Sequence, residues 1–236
     1  MILNPTAPAS TASPSVTSDN RLCPICGKRK RYWREETYPL QEICALCHRS
    51  LTRKGKPIPP SIVPERYESA RLEHLPEAVQ KAYRTLKDEE GIMLWGPAGT
   101  GKTYAMCAFA KELWQSGYEL HRTSYDLLML KIRDTYKPKA ERTEYQVIKD
   151  LVDADKLIIE DLGTTVATEN QESDFSLRTL LIVLDQRLER CRATYVTSNK
   201  NIEEIRNSFD SRIASRLTQA CQVVQLTGKD KRSNPT

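Results

Sequence analysis

No run of apolar residues in the chain is long enough to cross a bilayer, which takes about 20 residues, so a helical membrane protein is excluded. The N-terminal stretch Met1 to Asn20 lacks the basic start and apolar centre of a secretion signal. It is rich in Ser, Thr, Ala and Pro, and we expect a disordered tail over residues 1–20. Without export, the seven cysteines are not expected to form a disulfide framework, and a cytoplasmic protein is expected. The chain has no internal repeat. It also lacks a strong charge bias: Lys and Arg number 36 against 31 Asp and Glu, a net charge of +5. That balance permits nucleic-acid binding without demanding it. What remains is a chain of 236 residues, 39% hydrophobic, which suits one medium domain plus something small.

The stretch Gly96-Pro97-Ala98-Gly99-Thr100-Gly101-Lys102-Thr103 fits G-x-x-x-x-G-K-[ST], the phosphate-binding loop or P-loop. Its glycines let the backbone fold tightly and aim several N–H groups at one point. Lys102 can reach the β- and γ-phosphates, and the Thr103 hydroxyl can ligate Mg²⁺. The context agrees. Gly91 to Trp95 reads as a short buried strand, and Tyr104 to Gln115 as a helix that Gly117 ends. The positive end of that helix adds to the phosphate site. The chain is expected to bind a nucleoside triphosphate, with residues Gly96 to Tyr104 as the cradle.

Upstream, Cys23-Pro-Ile-Cys26 and Cys44-Ala-Leu-Cys47 stand 17 residues apart. That is a zinc spacing. Four thiolates close a tetrahedral shell, which makes a structural Zn²⁺ site in a module too small to bury its own core. His48 is a lesser candidate to replace one thiolate. Between the pairs lies Lys28-Arg29-Lys30-Arg31-Tyr32-Trp33-Arg34. This run suits phosphates and stacked bases, a solvated hairpin packed on the zinc, or a protein partner, and the sequence does not choose among them. Thr52 to Pro64 is rich in Pro and basic residues and reads as an extended linker. The expected organisation is therefore a tail (1–20), a zinc-ribbon-like module (21–50), a linker (51–64) and an ATPase domain (65–236).

From Gly91 onward strands and helices alternate. Strands are expected at Tyr118 to Thr123, Lys156 to Glu160, Ala193 to Thr197 and Cys221 to Leu226. Tyr67 to Leu86 reads as mixed helix broken at Pro76. Ser124 reads as the N-cap of a helix with Tyr125, Leu128, Met129, Ile132 and Tyr136 on one face. Further helices are expected at Glu144 to Val152, Ser176 to Arg190, Ile202 to Phe209 and Asp210 to Leu217. Leu177, Leu180, Leu181, Leu184 and Leu188 form an ordinary core stripe. Cys107, Cys191 and Cys221 are expected to be buried small residues. The alternation predicts an α/β fold with a five-stranded parallel sheet.

The strand Leu157-Ile158-Ile159 delivers Glu160 and Asp161 at its C-terminal end. One carboxylate can organise Mg²⁺ and the other polarise the attacking water. Asn199, after Thr197-Ser198, ends the next strand on the same edge of the sheet and can hold the water or the γ-phosphate. Ser-Asn after a strand is also an ordinary turn.

The set GPAGTGKTY (96–104), LIIEDLG (157–163), LDQR (184–187), YVTSN (195–199), DSRIASRL (210–217) and LTGKDKR (226–232) resembles an AAA+ ATPase of the DnaC/IstB group. Within the group it looks most like a DnaC/DnaI-type replicative helicase loader, bacterial or phage-encoded, with a zinc module. The likeness covers roughly Ile62 to Arg232. It implies ATP and Mg²⁺ as cofactors. Lys102 and Thr103 would bind phosphate and metal, and Glu160 would take the Mg²⁺-organising position. Asp161 would take the catalytic-acid position and Asn199 that of sensor 1. Arg216 would be the arginine finger reaching a neighbouring subunit and Arg232 the sensor-2 arginine. Arg212, one helical turn before Arg216, is either its support or an exposed helix charge. The resemblance further implies no C-terminal helical lid, self-association into a ring or open spiral, and single-stranded DNA held by a segment matching Tyr125 to Tyr145. Candidates there are Lys131, Arg133, Tyr136, Lys137 and Lys139, or these are a solvated helix end and loop. One departure stands out. Glu-Asp replaces Asp-Glu or Asp-Asp, which suits slow hydrolysis.

Three jobs fit. The first is an ATPase that assembles on single-stranded DNA and loads a ring-shaped replicative helicase. The second is an IstB-type transposition helper on duplex DNA with a transposase. The third is a non-catalytic ATP-binding adaptor.

Overall fold

The computed structural model describes residues 23, 25–27, 44–163 and 174–231. The Lys28 to Arg34 run and Arg232 lie outside these residues. The elements in chain order are α1 (Ala45–Arg53), two 3-10 turns (Glu65–Tyr67 and Leu72–His74), α2 (Glu77–Thr85), β1 (Gly91–Trp95), α3 (Lys102–Gln115), β2 (Leu120–Ser124), α4 (Tyr125–Asp134), α5 (Glu144–Asp153), β3 (Lys156–Leu162), α6 (Asp174–Glu189), β4 (Thr194–Ser198), α7 (Ile202–Ser208), α8 (Ser211–Ala220) and β5 (Cys221–Gln225).

The five strands form one sheet in the order β2-β3-β4-β1-β5, and every pairing is parallel. Parallel strands need crossovers, so helices cover both faces and the strands are buried on both sides. That is why Ile92, Met93, Leu94, Leu157, Ile158 and Ile159 form continuous apolar runs with no accessible surface. One core layer joins α3, α2 and the 3-10 turns to Ile92, Leu94 and Ile158. The other joins α4, α5, α6 and α8 to Met93, Leu157 and Ile159. The leucine stripe of α6 lies in this second layer, with Leu180 and Leu184 buried.

Helix ends follow local chemistry. The Ser124 hydroxyl accepts from Leu127 N at 3.3 Å and caps α4. Thr143 and Gln146 form a capping box at α5, and Asn201 and Glu204 form one at α7. Pro76 stands at the N-cap of α2, where its missing N–H costs nothing.

Two sequence expectations need correction. Tyr136 is not on the buried face of α4. The helix ends at Asp134, and the exposed Tyr136 hydroxyl bonds Glu144 instead. Cys191 is exposed, unlike Cys107 and Cys221. It falls in the turn after α6 at φ 52°, because that helix stops at Glu189 and the chain must reverse into β4.

Helix α1 runs across the boundary drawn between module and linker, and it lies against the sheet domain. Arg49 donates to the Gly117 carbonyl at 2.6 Å, to Glu119 at 3.0 Å and to Asp155 at 2.6 Å. Arg53 donates to the Tyr118 carbonyl at 2.8 Å and lies 3.7 Å from the Trp114 ring centre. Gly117 serves both elements. It turns the chain at φ 91°, and a Cβ there would come within 2.2 Å of the Leu46 carbonyl.

Candidate functional site

The C-terminal edges of β1, β3 and β4 lie side by side, with Trp95 paired to Ser198 and Leu162 to Ser198. In an open parallel sheet this edge is where ligands bind. A 530 Å³ cleft opens there, lined by Arg66, Tyr67, His74, the loop residues Ala98, Gly99, Gly101, Lys102 and Thr103, then Tyr104, Asp161, Asn199 and Lys231.

The loop between β1 and α3 is built from glycine geometry and from a neighbour far along the chain. Gly101, at φ 97°, leads into α3, so the free N–H groups of its first turn face the cleft. Gly96 and Gly99 also have positive φ, and both are pressed by the segment after β5. A Cβ on Gly96 would meet the Leu226 carbonyl at 2.0 Å, and one on Gly99 would meet an Asp230 carboxylate oxygen at 1.8 Å. Lys231 N donates to the Gly99 carbonyl at 3.0 Å. The P-loop therefore needs two of its glycines for packing as well as for phosphate approach. Lys102 Nζ is buried and donates to the Gly96 and Pro97 carbonyls at 2.8 and 2.9 Å. Pro97, Ala98 and Thr100 complete the turn, and the Thr100 hydroxyl donates back to Pro97 at 2.9 Å.

The two acids of β3 have different surroundings. The strand slips register between Ile159 and Leu162, and Asp161 takes φ 58°, a left-handed conformation rare for a side chain larger than glycine. Its N–H donates to the Thr197 hydroxyl of β4 at 2.9 Å. The Ser198 hydroxyl donates to Leu162 O at 2.7 Å. This bulge points Asp161 into the cleft, exposed, beside Asn199. Glu160 is buried. Burial pushes its carboxyl pKa up, while the Arg122 guanidinium and the Thr103 hydroxyl pull it down. Arg122 of β2 forms an ion pair with Glu160 Oε2, but among the described residues Oε1 has no hydrogen-bond partner. An unpartnered buried carboxylate oxygen next to a threonine hydroxyl is a donor set that fits a hard divalent cation such as Mg²⁺.

Outside the cleft, Arg216 on α8 ion-pairs with Asp185 of α6 and is 40% exposed. Arg212 turns back to its own N-cap, Asp210, at 2.7 Å. Lys131, Arg133, Tyr136, Lys137 and Lys139 are all exposed on the end of α4 and the loop after it. Lys137 is engaged with Asp134 at 2.6 Å.

The four cysteine sulfurs Cys23, Cys26, Cys44 and Cys47 lie within 4.8 Å of one another. Cys26 and Cys44 are 3.7 Å apart, close to the ~3.8 Å edge of a tetrahedron of zinc thiolates. Cys44 N donates to Cys23 Sγ at 3.3 Å, and this bond leads in lowering the Cys23 thiol to about 6. Burial pushes Cys44 and Cys47 up, which a metal would offset by taking them as thiolates.

The sequence did not point to Arg122, Thr197, Arg66, Tyr67, His74 or Lys231. A lone arginine in a short strand is a weak signal, and the others gain meaning only once distant segments meet.

The solved structures with this fold include DnaI, at TM-score 0.58 and 19% identity, covering 74% of this chain and 94% of that one. The DnaC helicase loader matches at TM-score 0.57 and 14% identity, covering 69% and 99%. AMPPCP-bound DnaA from Aquifex aeolicus matches at TM-score 0.56 and 18% identity, covering 70% and 52%. At these identities the likeness is one of fold. No curated protein matches the chain. Residues 68–235 match the profile of the IstB-like ATP binding proteins, which is most of the chain, and the chain belongs to that family.

Proposed function

We propose that the protein is an ATPase that assembles on single-stranded DNA and delivers a ring-shaped replicative helicase to it. The observation that carries the reading is the meeting of Lys102, Thr103, Asp161 and Asn199 in one cleft. These are the groups needed to hold a triphosphate and orient a water. Mg²⁺, held by Thr103 and Glu160, would shield the phosphate charge. Fold likeness to DnaI and to the DnaC helicase loader supports the helicase as partner. Arg216 would act in trans, so the working form is an oligomer. Zn²⁺ would close the cysteine cluster, and this module would dock the helicase. Lys131, Arg133, Tyr136, Lys137 and Lys139 would face DNA, and Arg232 would contact phosphate as the chain closes on nucleotide.

The test is capture of the source cell's replicative helicase by the full-length chain, with and without ATP, alongside DNA-stimulated hydrolysis. Capture is expected, together with hydrolysis lost in Lys102→Ala and Arg216→Ala. Absence of capture under both conditions overturns the loader reading.

The family match favours a second reading, an IstB-type helper that binds duplex DNA with a transposase. Preference for duplex over single strands, with filaments on duplex, would establish it. Binding of ATP without turnover would leave the third role, an adaptor, for which the Glu160–Asp161 order speaks.

A further inference from the structure

The nucleotide reading accounts for Lys102, Thr103, Asp161 and Asn199, but not for Arg122. This arginine stands at the middle of β2, paired in register with Ile158 of β3. Its side chain is 10% exposed and that of Glu160 is 9% exposed. The guanidinium ion-pairs with Glu160 Oε2, and one Nη also donates to the Ile62 carbonyl at 3.4 Å. Among the described residues two buried polar atoms of this pair have no partner, Arg122 Nε and Glu160 Oε1. A buried ion pair with unmet atoms is a poor source of stability, and each unmet buried polar group carries a desolvation penalty. The pairing therefore calls for a ligand at Oε1.

A divalent cation meets that need. It takes oxygen ligands, and Oε1 and the Thr103 hydroxyl are the oxygens offered. Arg122 works against it. A fixed positive charge on the other carboxylate oxygen cancels the charge that would attract the metal. We propose that Arg122 sets the divalent-cation affinity of the nucleotide site: by ion-pairing with Glu160 it offsets the charge of the carboxylate that would hold the cation, so that the cation is held only together with the phosphates of a nucleotide. This rests on the nucleotide-binding reading above and adds a regulator to it. The consequence is a P-loop that stays metal-free between nucleotides.

The experiment uses the full chain and a fluorescent ATP analogue, titrated with Mg²⁺ at pH 8.5, and reads binding. Arg122→Gln is expected to lower the Mg²⁺ midpoint about ten-fold, since a full charge is removed at close range. Arg122→Lys is expected to stay near wild type. Glu160→Gln is expected to raise the midpoint, and adding Arg122→Gln to it is expected to change little. An unchanged or raised midpoint in Arg122→Gln overturns the proposal. A second measurement needs no variant. Mn²⁺ added to the nucleotide-free wild-type chain and followed by electron paramagnetic resonance is expected to bind only weakly, and tight binding overturns the proposal even if Arg122→Gln does not fold. Failure of the nucleotide reading itself looks different: the analogue would bind wild type and Lys102→Ala equally, or not at all.

Discussion

Arg187 is buried to 0% exposure between α6, α5 and β4, yet among the described residues no carboxylate is bonded to it. Its guanidinium donates to the carbonyls of Leu151 at 2.6 Å, Ala154 at 2.8 Å and Ala193 at 2.6 Å, and to the Thr194 hydroxyl at 3.0 Å. Burial brings it down to about 9, which leaves it charged at neutral pH. The carbonyls of Leu151 and Ala154 sit at the C-terminal end of α5, where the helix dipole is negative and the last C=O groups lack helical partners. The positive charge answers the dipole, and the planar fork answers the carbonyls. Arg187→Ala removes the donors and leaves buried acceptors unmet. It is expected to cost about 3–5 kcal/mol, read as a shift in urea midpoint. A loss under about 1 kcal/mol would show that water replaces the fork. In sequence LDQR (184–187) is one of the motifs that carry the resemblance, and only the fold shows what its arginine bonds.

At the scale of elements, α8 carries Arg216 and is held at its start by Asp210. The Asp210 carboxylate accepts from Arg212 N at 2.6 Å and from the Arg212 side chain. The side-chain bond from Arg212 leads in holding the Asp210 carboxyl below its usual value. A depressed carboxylate pKa stabilises the fold above the unfolded value, near ~4. That contribution is lost as pH falls through the lower folded value. Asp210→Asn keeps a capping side chain but removes the charge. The urea midpoint of wild type is therefore expected to fall more steeply between about pH 5 and 3 than that of Asp210→Asn. Parallel pH profiles would show that the cap contributes as a dipole and not as a charge. The pattern of α8 was legible, because capping and apolar spacing are local. Its pairing with Asp185 of α6 was not, since 31 residues separate the partners.

For the whole molecule the notable contact is between the cysteine cluster and the sheet domain. Cys44 is the N-cap of α1, and its sulfur accepts from Cys47 N at 3.5 Å. The same helix carries Arg49 and Arg53, which reach Trp114 of α3, the turn before β2 and Asp155 just before β3. A metal on the four sulfurs would therefore fix the first turn of a helix whose later turns grip the sheet domain. About one Zn²⁺ per chain is expected. Chelation is expected to raise amide exchange over Ala45 to Arg53 while leaving the P-loop protected. Arg49→Ala is expected to loosen the same helix with zinc still bound. If chelation leaves exchange in α1 unchanged, the docking contacts alone hold the helix. Among the described residues no helix is long and apolar enough to cross a membrane.

The sequence alone determined the five parallel strands, the P-loop, the acids at the end of β3 and the four-cysteine spacing. Each is a local pattern: a buried strand needs a short continuous apolar run, a phosphate loop needs glycines at set intervals, and a zinc knuckle needs two cysteines three positions apart. Tertiary structure decided the rest. Arg122 meets Glu160 only because β2 lies beside β3. Gly96 and Gly99 are pressed by the chain after β5 only because β5 lies beside β1. Asp161 is turned into the cleft by hydroxyls of β4, and α1 crosses from the cysteines onto α3. These partners stand 36 or more residues apart in the chain, and nothing in the local pattern of either says which distant residue the sheet order will set beside it.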